Sequence, residues 1–459
     1  MVVSFRPFTL LLFLAIVSPA RLSAQSSNVP SSGAQSSGVQ SSSAQSSSEE
    51  SVERAPLLEE LAPIGVPTDK DKQKETDSRL NSLVDGIFAK PNRMGLAVGL
   101  TEFYTPNTVT NGPKSSAGSF TSANSSFYAN FVRTKSQFHI DYTIGYQRDN
   151  RQSLSGVNQT GSLSWSRLMG RRGSLNISES FIDSPNDYST TSRLTDPFQS
   201  PYVSTQEIFV DRQRITRNVL TVSSGYQVGK RTTVDVFASH ELSLYQRADF
   251  GQTQILQAGV GAAHQLNKFL FISTSYTGFI NNVDPMYRDV AIQRLRVITL
   301  RFHRRGINVS SSAGVEYANN HGSNDVVAEA EAGMTMGSRS NAFSLQYLHG
   351  LTSIVGAGTA VVTDSLYASL MHRISNRFSL GLSSSYMHYG NKNGLQKSGL
   401  DSLEAGARIQ LALTHDVILS GNLYYVSQTT RNLGFYAPEL HRSAGSASIT
   451  YILPAFRVR

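Results

Sequence analysis

The chain of 459 residues contains no cysteine. Disulfide bonds, thiolate nucleophiles and cysteine-ligated zinc are therefore excluded, as is a lipid anchor on an N-terminal cysteine. No later segment is long and apolar enough to form a transmembrane helix, which needs about 20 apolar residues. The motifs G-x-S-x-G and H-E-x-x-H are also missing, and histidines and acids do not cluster at ligand spacing. The sequence thus predicts neither an enzyme nor a bound metal or cofactor.

The N-terminus has the pattern of an export signal. Arg6 precedes an apolar run from Phe8 to Val17, and Pro19 and Ala24 follow. About ten apolar residues cannot cross a hydrocarbon layer of roughly 30 Å, so a membrane anchor is the weaker interpretation. We predict a signal peptide over residues 1–24 that is cleaved after Ala24.

Residues 25–75 are of low complexity and then highly charged. Pentads rich in serine and glutamine run to about Ser48, and a charged, proline-punctuated stretch covers Glu49–Lys74. Such a composition buries too little apolar surface to fold, so we predict a flexible periplasmic linker. Glycosylation or contact with the cell wall is the alternative role.

A short amphipathic helix is predicted within residues 76–93. Over Thr76–Lys90 the apolar side chains follow helical spacing, and Pro91 ends the pattern. The helix either rests on the periplasmic mouth of the following domain or serves as a plug or docking element. The apolar positions are Leu80, Leu83, Val84, Ile87 and Phe88.

From Met94 onward, apolar and polar residues alternate in stretches of about ten. In Gln137–Gln147, for example, Ile140 and Tyr142 share one parity and Asp141 has the other. In a strand, the two parities point to opposite faces of the sheet. Eighteen such stretches fit between Met94 and Leu453, with sixteen as the alternative count. We therefore predict an all-β fold over residues 94–459, an antiparallel transmembrane β-barrel.

The connections between these stretches alternate between short and long. Short ones such as Gly170–Arg172 carry Gly, Asn or Ser, as tight hairpins require, whereas Asp183–Arg217 is the longest. Short periplasmic turns and longer outer loops are typical of outer-membrane barrels. A soluble β-sandwich or propeller would have strands of about five or six residues. The pattern places both ends of the barrel on the periplasmic side.

Parity also assigns the inner face. In the stretch that starts at Asp325, Val326 and Ala328 would face lipid, which leaves Glu329 and Glu331 inside. The inward positions lean acidic, which predicts a lumen that mildly prefers cations. The alternative is that the acids pair with arginines and set no selectivity. The candidate pore-lining residues are Asp141, Asp235, Glu241, Arg294, Arg296, Glu316, Glu329, Glu331, Glu404 and Arg408.

One stretch breaks the alternation. Between Arg294 and Phe302 the apolar frame switches midway, and a β-bulge would explain the switch. Its arginines would form a basic ladder across the pore or, more often in such proteins, anchor the barrel at its rim.

The closing stretch Gly445–Leu453 resembles the C-terminal signal that the barrel-assembly machinery reads. The region from Met94 to the C-terminus resembles the outer-membrane β-barrel class and is porin-like in size. This resemblance implies a Gram-negative outer membrane as the location. It also implies outer-membrane lipid, lipopolysaccharide and the barrel-assembly machinery as partners, and leaves open an association of several copies.

Three functions follow from this class. The first is a water-filled pore for passive diffusion of small polar solutes, with Asp183–Arg217 as the loop that would fold inward and narrow it. The second is a non-conducting accessory barrel in polysaccharide export or surface attachment. The third, a lipid hydrolase, has no supporting motif. The net charge of +8 does not indicate nucleic acid as a partner, because the cations are scattered rather than gathered on one face.

Overall fold

A computed structural model describes residues 93–457 with short gaps. The gaps are 106–108, 111–117, 150–154, 188–204, 207–212, 246–251, 285–287, 305, 321–322, 339, 355–358, 391–398, 415, 432–439 and 454–455. The predicted signal peptide, linker and amphipathic helix lie outside the described residues.

The described chain forms one antiparallel sheet that closes on itself. Each of eighteen long strands pairs with the next, and the first pairs with the last, for example Thr101 with Ser448. The predicted count of eighteen is therefore confirmed, and closure leaves the barrel without a free edge. In chain order the strands are β1 (Arg93–Thr105), β2 (Val109–Thr110), β3 (Gly118–Arg133), β4 (Ser136–Asp149), β5 (Gly156–Met169), β6 (Gly173–Asp187), β7 (Thr205–Gln206), β8 (Gln213–Gln227), β9 (Thr232–Tyr245), β10 (Gln252–Gln265), β11 (Leu270–Asp284), β12 (Arg288–Arg304), β13 (Ile307–Asn320), β14 (Ser323–Gly337), β15 (Asn341–Ile354), β16 (Thr359–Arg373), β17 (Phe378–Gly390), β18 (Gly399–Ala412), β19 (Val417–Arg431), β20 (Leu440–Ile452) and β21 (Phe456–Arg457). The two-residue strands β2, β7 and β21 are additions to the eighteen.

The short turns that the sequence predicted lie at one end of the barrel, but the predicted strict alternation of short and long connections is wrong, because only two residues separate β13 from β14 at the other end. Thr134 and Lys135 alone join β3 to β4, and Gly170 opens the turn between β5 and β6 with a φ of 71°. Only glycine adopts that backbone conformation readily.

The connections at the other end are shorter than predicted. We expected a loop over Asn281–Ile292, but β11 continues to Asp284 and β12 begins at Arg288. The ladder of an antiparallel pair does not stop at the membrane surface. Polar residues such as Asn282 therefore continue the strands beyond the apolar belt.

The outer surface of the barrel is apolar. Along β1, Leu96, Val98 and Leu100 are 40–51% exposed, whereas the intervening Ala97 is buried. The predicted parity also holds on β14, where Val326 is the most exposed large apolar side chain in the described barrel. A belt of leucine, isoleucine and valine around a closed sheet is stable in lipid and unfavourable in water.

The predicted β-bulge lies in β12. Its pairing with β11 steps from Thr299 to Arg296, and its pairing with β13 steps from Ile298 to Arg296. The extra residue is Val297, which therefore faces outward together with Ile298. The bulge explains why the apolar frame of this stretch switches.

Two glycines make room for aromatic rings on the inner wall. A Cβ at Gly95 would lie 2.1 Å from the Tyr128 hydroxyl and 2.3 Å from its ring, and a Cβ at Gly259 would lie 2.3 Å from Phe237. Each ring thus lies flat over the backbone of a neighbouring strand.

We predict that Gly95→Val destabilises the barrel by about 1–3 kcal/mol, because Tyr128 must leave its place. The midpoint temperature of the heat-induced mobility shift on a denaturing gel measures this. Gly278→Ala is the control, since a Cβ there meets nothing within 4 Å. Equal midpoints for the two variants would contradict the packing described here.

Candidate functional site: the lumen and its outer end

The inner face of the barrel carries polar and charged side chains, as parity predicted. The most highly charged part spans β12, β13 and β14. Arg294 forms an ion pair with Glu316, and both side chains are buried. Arg296 forms ion pairs with Glu329 at 2.8 Å and with Glu331 at 2.7 Å. These five residues, the ionic cluster, contain one more acid than base and so keep one net negative charge.

The ionic cluster defines the role of Arg294 and Arg296, which is to pair with luminal glutamates. Both side chains are 4% exposed, and both lie in the middle of a 17-residue strand rather than at its end. A rim anchor is therefore the wrong assignment for these two residues. An open basic ladder is wrong as well, because three glutamates surround the two guanidinium groups. Burial of such a network requires its members to be paired.

A second luminal ion pair includes a residue that sequence reasoning missed. Arg217 contacts Glu241 at 2.8 Å, and both side chains are buried. Arg217 belongs to β8, but we had placed it at the end of the loop Asp183–Arg217. Arg217 has the same parity as the inward-facing Val219 two residues later. A predicted strand that began one residue earlier would have included Arg217.

The other predicted lining residues are also placed inside. Asp141 is buried on β4, and its register partners are Tyr128 on β3 and Ser162 on β5. Asp235 lies inside on β9. Glu404 and Arg408 share the inner face of β18, where a guanidinium nitrogen of Arg408 lies 2.6 Å from the side-chain amide of Gln410.

The hairpin of β15 and β16 leaves the barrel wall at its outer end. Pairing of β15 with β14 stops at His349, yet β15 continues to Ile354 and β16 begins at Thr359. Both strands then contact β13, and β16 also contacts β12, although neither is adjacent in the ring. We call the described part beyond His349, residues 350–354 and 359–362, the tucked hairpin.

An apolar patch holds the tucked hairpin inside the wall. Leu351 has the parity of the lipid-facing Leu345, yet it is 1% exposed. It packs in a cluster with wall residues whose parity is luminal. The cluster consists of Ile255, Phe279, Val290, Ile292, Ala318, Val327, Leu351 and Ala360, with Val362 against it.

The tucked hairpin is also bonded to the ionic cluster. The amide of Leu351 donates a hydrogen bond to Glu316. A Cβ at Gly350 would lie 2.7 Å from a Glu316 carboxylate oxygen, so a side chain at residue 350 would disturb this approach. The ion pair, the apolar patch and the hairpin thus form one continuous structure.

Part of the long segment between β6 and β8 reaches the same place. Its two-residue strand β7 runs parallel to β15, with Thr205 beside Ser353 and Gln206 beside Ile354. Six wall strands, β9 to β14, separate β8 from β15 in the ring. Thr205 and Gln206 therefore lie beside the tucked hairpin, far around the ring from β8. That the loop Asp183–Arg217 folds inward stays a prediction, because most of it lies outside the described residues.

The burial of inner-wall side chains varies along the height of the barrel. Toward the outer end, Phe103, Leu400 and Gln428 are at most 1% exposed. Near the middle of β5 and β6, Ser164 and Ser178 are half-buried, whereas Asn130 and Ile418, nearer the periplasmic end, are buried. The tucked hairpin occupies part of the lumen at its outer end.

Histidines and acids meet on the outside of the barrel, although they do not cluster in the sequence. His349 contacts Asp364 and His388 contacts Asp401, each through Nδ1 at 2.8 Å. A serine–histidine contact, Ser427 with His441, lies on the separate hairpin of β19 and β20. In the described part of the chain, no group of three or more acids and histidines could hold a metal ion.

The closed ring of eighteen strands, the apolar exterior and the polar interior define an outer-membrane β-barrel of porin-like architecture. Within the residues that the structure describes, no helix is long and apolar enough to cross a membrane.

Solved structures with a similar course of the chain are outer-membrane barrels. OccK11 (OpdR) of Pseudomonas aeruginosa is 12% identical, with 79% of this chain and 96% of that one covered and a TM-score of 0.41. OccAB4 of Acinetobacter baumannii is 9% identical over 80% and 99%, with a TM-score of 0.42. OccK2 (OpdF) of P. aeruginosa, solved with glucuronate, is 9% identical over 79% and 98%, with a TM-score of 0.43.

No protein-family profile matches the sequence, and no curated protein matches it either.

Proposed function

We propose that this barrel is a water-filled outer-membrane pore for passive diffusion of small polar solutes, with a mild preference for cations. The observation that supports it best is the half-buried polar wall below the tucked hairpin. An eighteen-strand barrel is wide enough for an aqueous channel, and hydroxyl and amide side chains hold water there.

The cation preference rests on the ionic cluster. Its two arginines neutralise two of three glutamates, so one negative charge remains beside the tucked hairpin. Pairing makes this preference smaller than a count of the acids alone would imply. The basic charge of the whole chain does not oppose it, because many of the cations lie in the short turns, such as Lys135, Arg171 and Arg172.

We predict that the purified full-length protein conducts ions in a planar bilayer. With potassium chloride at a tenfold gradient, the reversal potential should correspond to potassium being about two to four times as permeant as chloride, because one uncompensated charge contributes only modestly at physiological salt. A clear preference for chloride would overturn the assignment of the ionic cluster as the selective element. Heat-denatured protein is the control for detergent artefacts.

The runner-up is a non-conducting accessory barrel. One observation favours it, namely the near-complete burial of inner-wall residues at the outer end, such as Phe103 and Leu400. Under this alternative the folded protein would show no conductance steps, and only removal of the tucked hairpin would produce them.

A further inference from the structure

The wall of β5, β6 and β8 carries hydroxyl and amide groups and almost no charge. All inward side chains of β5 and of the barrel part of β6 are uncharged, with Ser164 and Ser178 near their centres. On β8, Thr221 and Ser223 continue this surface below Arg217. Apart from Arg217, which is paired with Glu241, the charged inward residues discussed above lie on β4, β9, β12 to β14 and β18.

Seven inward side chains form one continuous row that runs across β5, β6 and β8 and onto the neighbouring strands on both sides. Each is the register partner of the next, and Thr221 and Ser239 share a hydrogen bond of 3.1 Å. We call this set the hydroxyl row. In order it contains Asn130, His139, Ser164, Ser178, Thr221, Ser239 and Gln257, on β3, β4, β5, β6, β8, β9 and β10.

The hydroxyl row runs obliquely along the lumen, from near the periplasmic end at Asn130 toward the outer end at Gln257. Asn130 lies three residues before Arg133, the periplasmic end of β3, whereas Gln257 lies eight residues before Gln265, the periplasmic end of β10. Six steps between strands of about 4.8 Å give a path of roughly 29 Å. Apart from the buried Asn130, its members are half-buried and so reach the open part of the lumen.

The opposite wall has the same character. β15 lies nine strands from β5 around the ring of eighteen, and its inward Ser344 shares a hydrogen bond of 2.6 Å with Ser369 of β16. On β17, Ser383 and Ser385 also face inward. A solute below the tucked hairpin would therefore meet hydroxyl groups on both sides.

We infer that the pore is built for small uncharged polyhydroxylated solutes, such as simple sugars. The inference rests on the proposed function and names its substrate class. A hydroxyl or amide both donates and accepts hydrogen bonds. It can therefore replace a hydrogen bond to water by one to a sugar hydroxyl, and no charge has to be neutralised. A charged solute meets on this wall only Arg217, which is buried and already paired with Glu241. The charges of β12 to β14 are largely occupied with one another.

Three solutes of one ring size and different charge test this inference directly. We would measure efflux of glucose, glucosamine and glucuronate from proteoliposomes that contain the full-length protein, with potassium chloride on both sides. Glucose should leave at least about twice as fast as either charged sugar. If glucosamine or glucuronate leaves faster than glucose, the inference is wrong, whereas potassium conductance would still support the pore. Absence of both conductance and efflux would contradict the pore itself.

A variant of the hydroxyl row supplies a second measurement. The triple substitution Ser164→Ala, Ser178→Ala and Thr221→Val removes three hydroxyls without narrowing the lumen. Glucose efflux should fall about threefold, since three groups that exchange hydrogen bonds with the passing sugar are lost. Potassium conductance should stay unchanged. The matched control, Ser125→Ala with Ser311→Ala, alters outward-facing hydroxyls and should change neither quantity. An unchanged glucose rate in the folded triple variant would overturn the role of the row.

Discussion

Releasing the tucked hairpin is expected to raise the single-channel conductance about threefold or more. The substitution Leu351→Asp places a charge in the apolar patch and next to Glu316, which accepts a hydrogen bond from the Leu351 amide. Burial of an unpaired carboxylate among apolar side chains is strongly unfavourable. Since β15 pairs with β14 only up to His349, the hairpin can leave the lumen while the barrel wall stays paired.

Two further variants sharpen this test. Leu351→Met keeps the volume and polarity of the side chain and should conduct like the unaltered protein. Replacement of residues 352–361 by two glycines removes the outer part of the hairpin and should conduct like Leu351→Asp. If Leu351→Asp folds, as its heat-induced mobility shift would show, and its conductance equals that of the unaltered protein, the hairpin does not narrow the pore.

Opposite changes in the ionic cluster are expected to move ion selectivity in opposite directions. Arg296→Met removes the partner of both Glu329 and Glu331 and leaves one buried and one partly buried carboxylate without it. The cation preference should rise severalfold, and the barrel should lose about 3–5 kcal/mol of stability, as when one member of a buried ion pair is deleted. Glu331→Gln removes the surplus negative charge and should bring the potassium-to-chloride ratio close to one.

Reversal potentials in a potassium chloride gradient measure both effects, and the midpoint of heat-induced unfolding measures the stability term. Glu102→Gln is the control, since Glu102 lies on the outward face of β1, where it accepts a hydrogen bond from Thr121. A shift of the same sign in Arg296→Met and Glu331→Gln would show that the cluster does not set selectivity.

The course of the barrel could be predicted from the sequence because lipid outside and water inside require apolar and polar residues to alternate along each strand. A residue such as Val326 or Leu100 must face lipid, and the next residue must then face the lumen. Eighteen strands, their faces, the short turns and the bulge near Val297 all follow from that rule. The ends of the strands do not, because above the membrane no apolar side chain marks where a ladder stops. For this reason Arg217 was assigned to a loop.

The site was predictable as a set of residues but not as a set of contacts. Parity placed Arg294, Arg296 and Glu329 in the lumen, but their pairing depends on the stagger between β12, β13 and β14. The tucked hairpin had no sequence signal of its own, because Leu351 continues the outward parity of Leu345. Its burial arises where β15 separates from β14, which is a long-range property of the closed sheet.

Cysteine substitution tests the central claim most directly, because the chain has no cysteine of its own. On β6, Leu175 and Ile177 face outward and Asn176 and Ser178 face the lumen. Each would be changed singly to cysteine and labelled in intact membranes with a small water-soluble maleimide and with a lipid-soluble one. The account predicts strict alternation, with residues 176 and 178 labelled from water and residues 175 and 177 from lipid. Equal labelling of neighbouring positions by the water-soluble reagent would contradict a barrel with a lipid-facing outside and an aqueous inside.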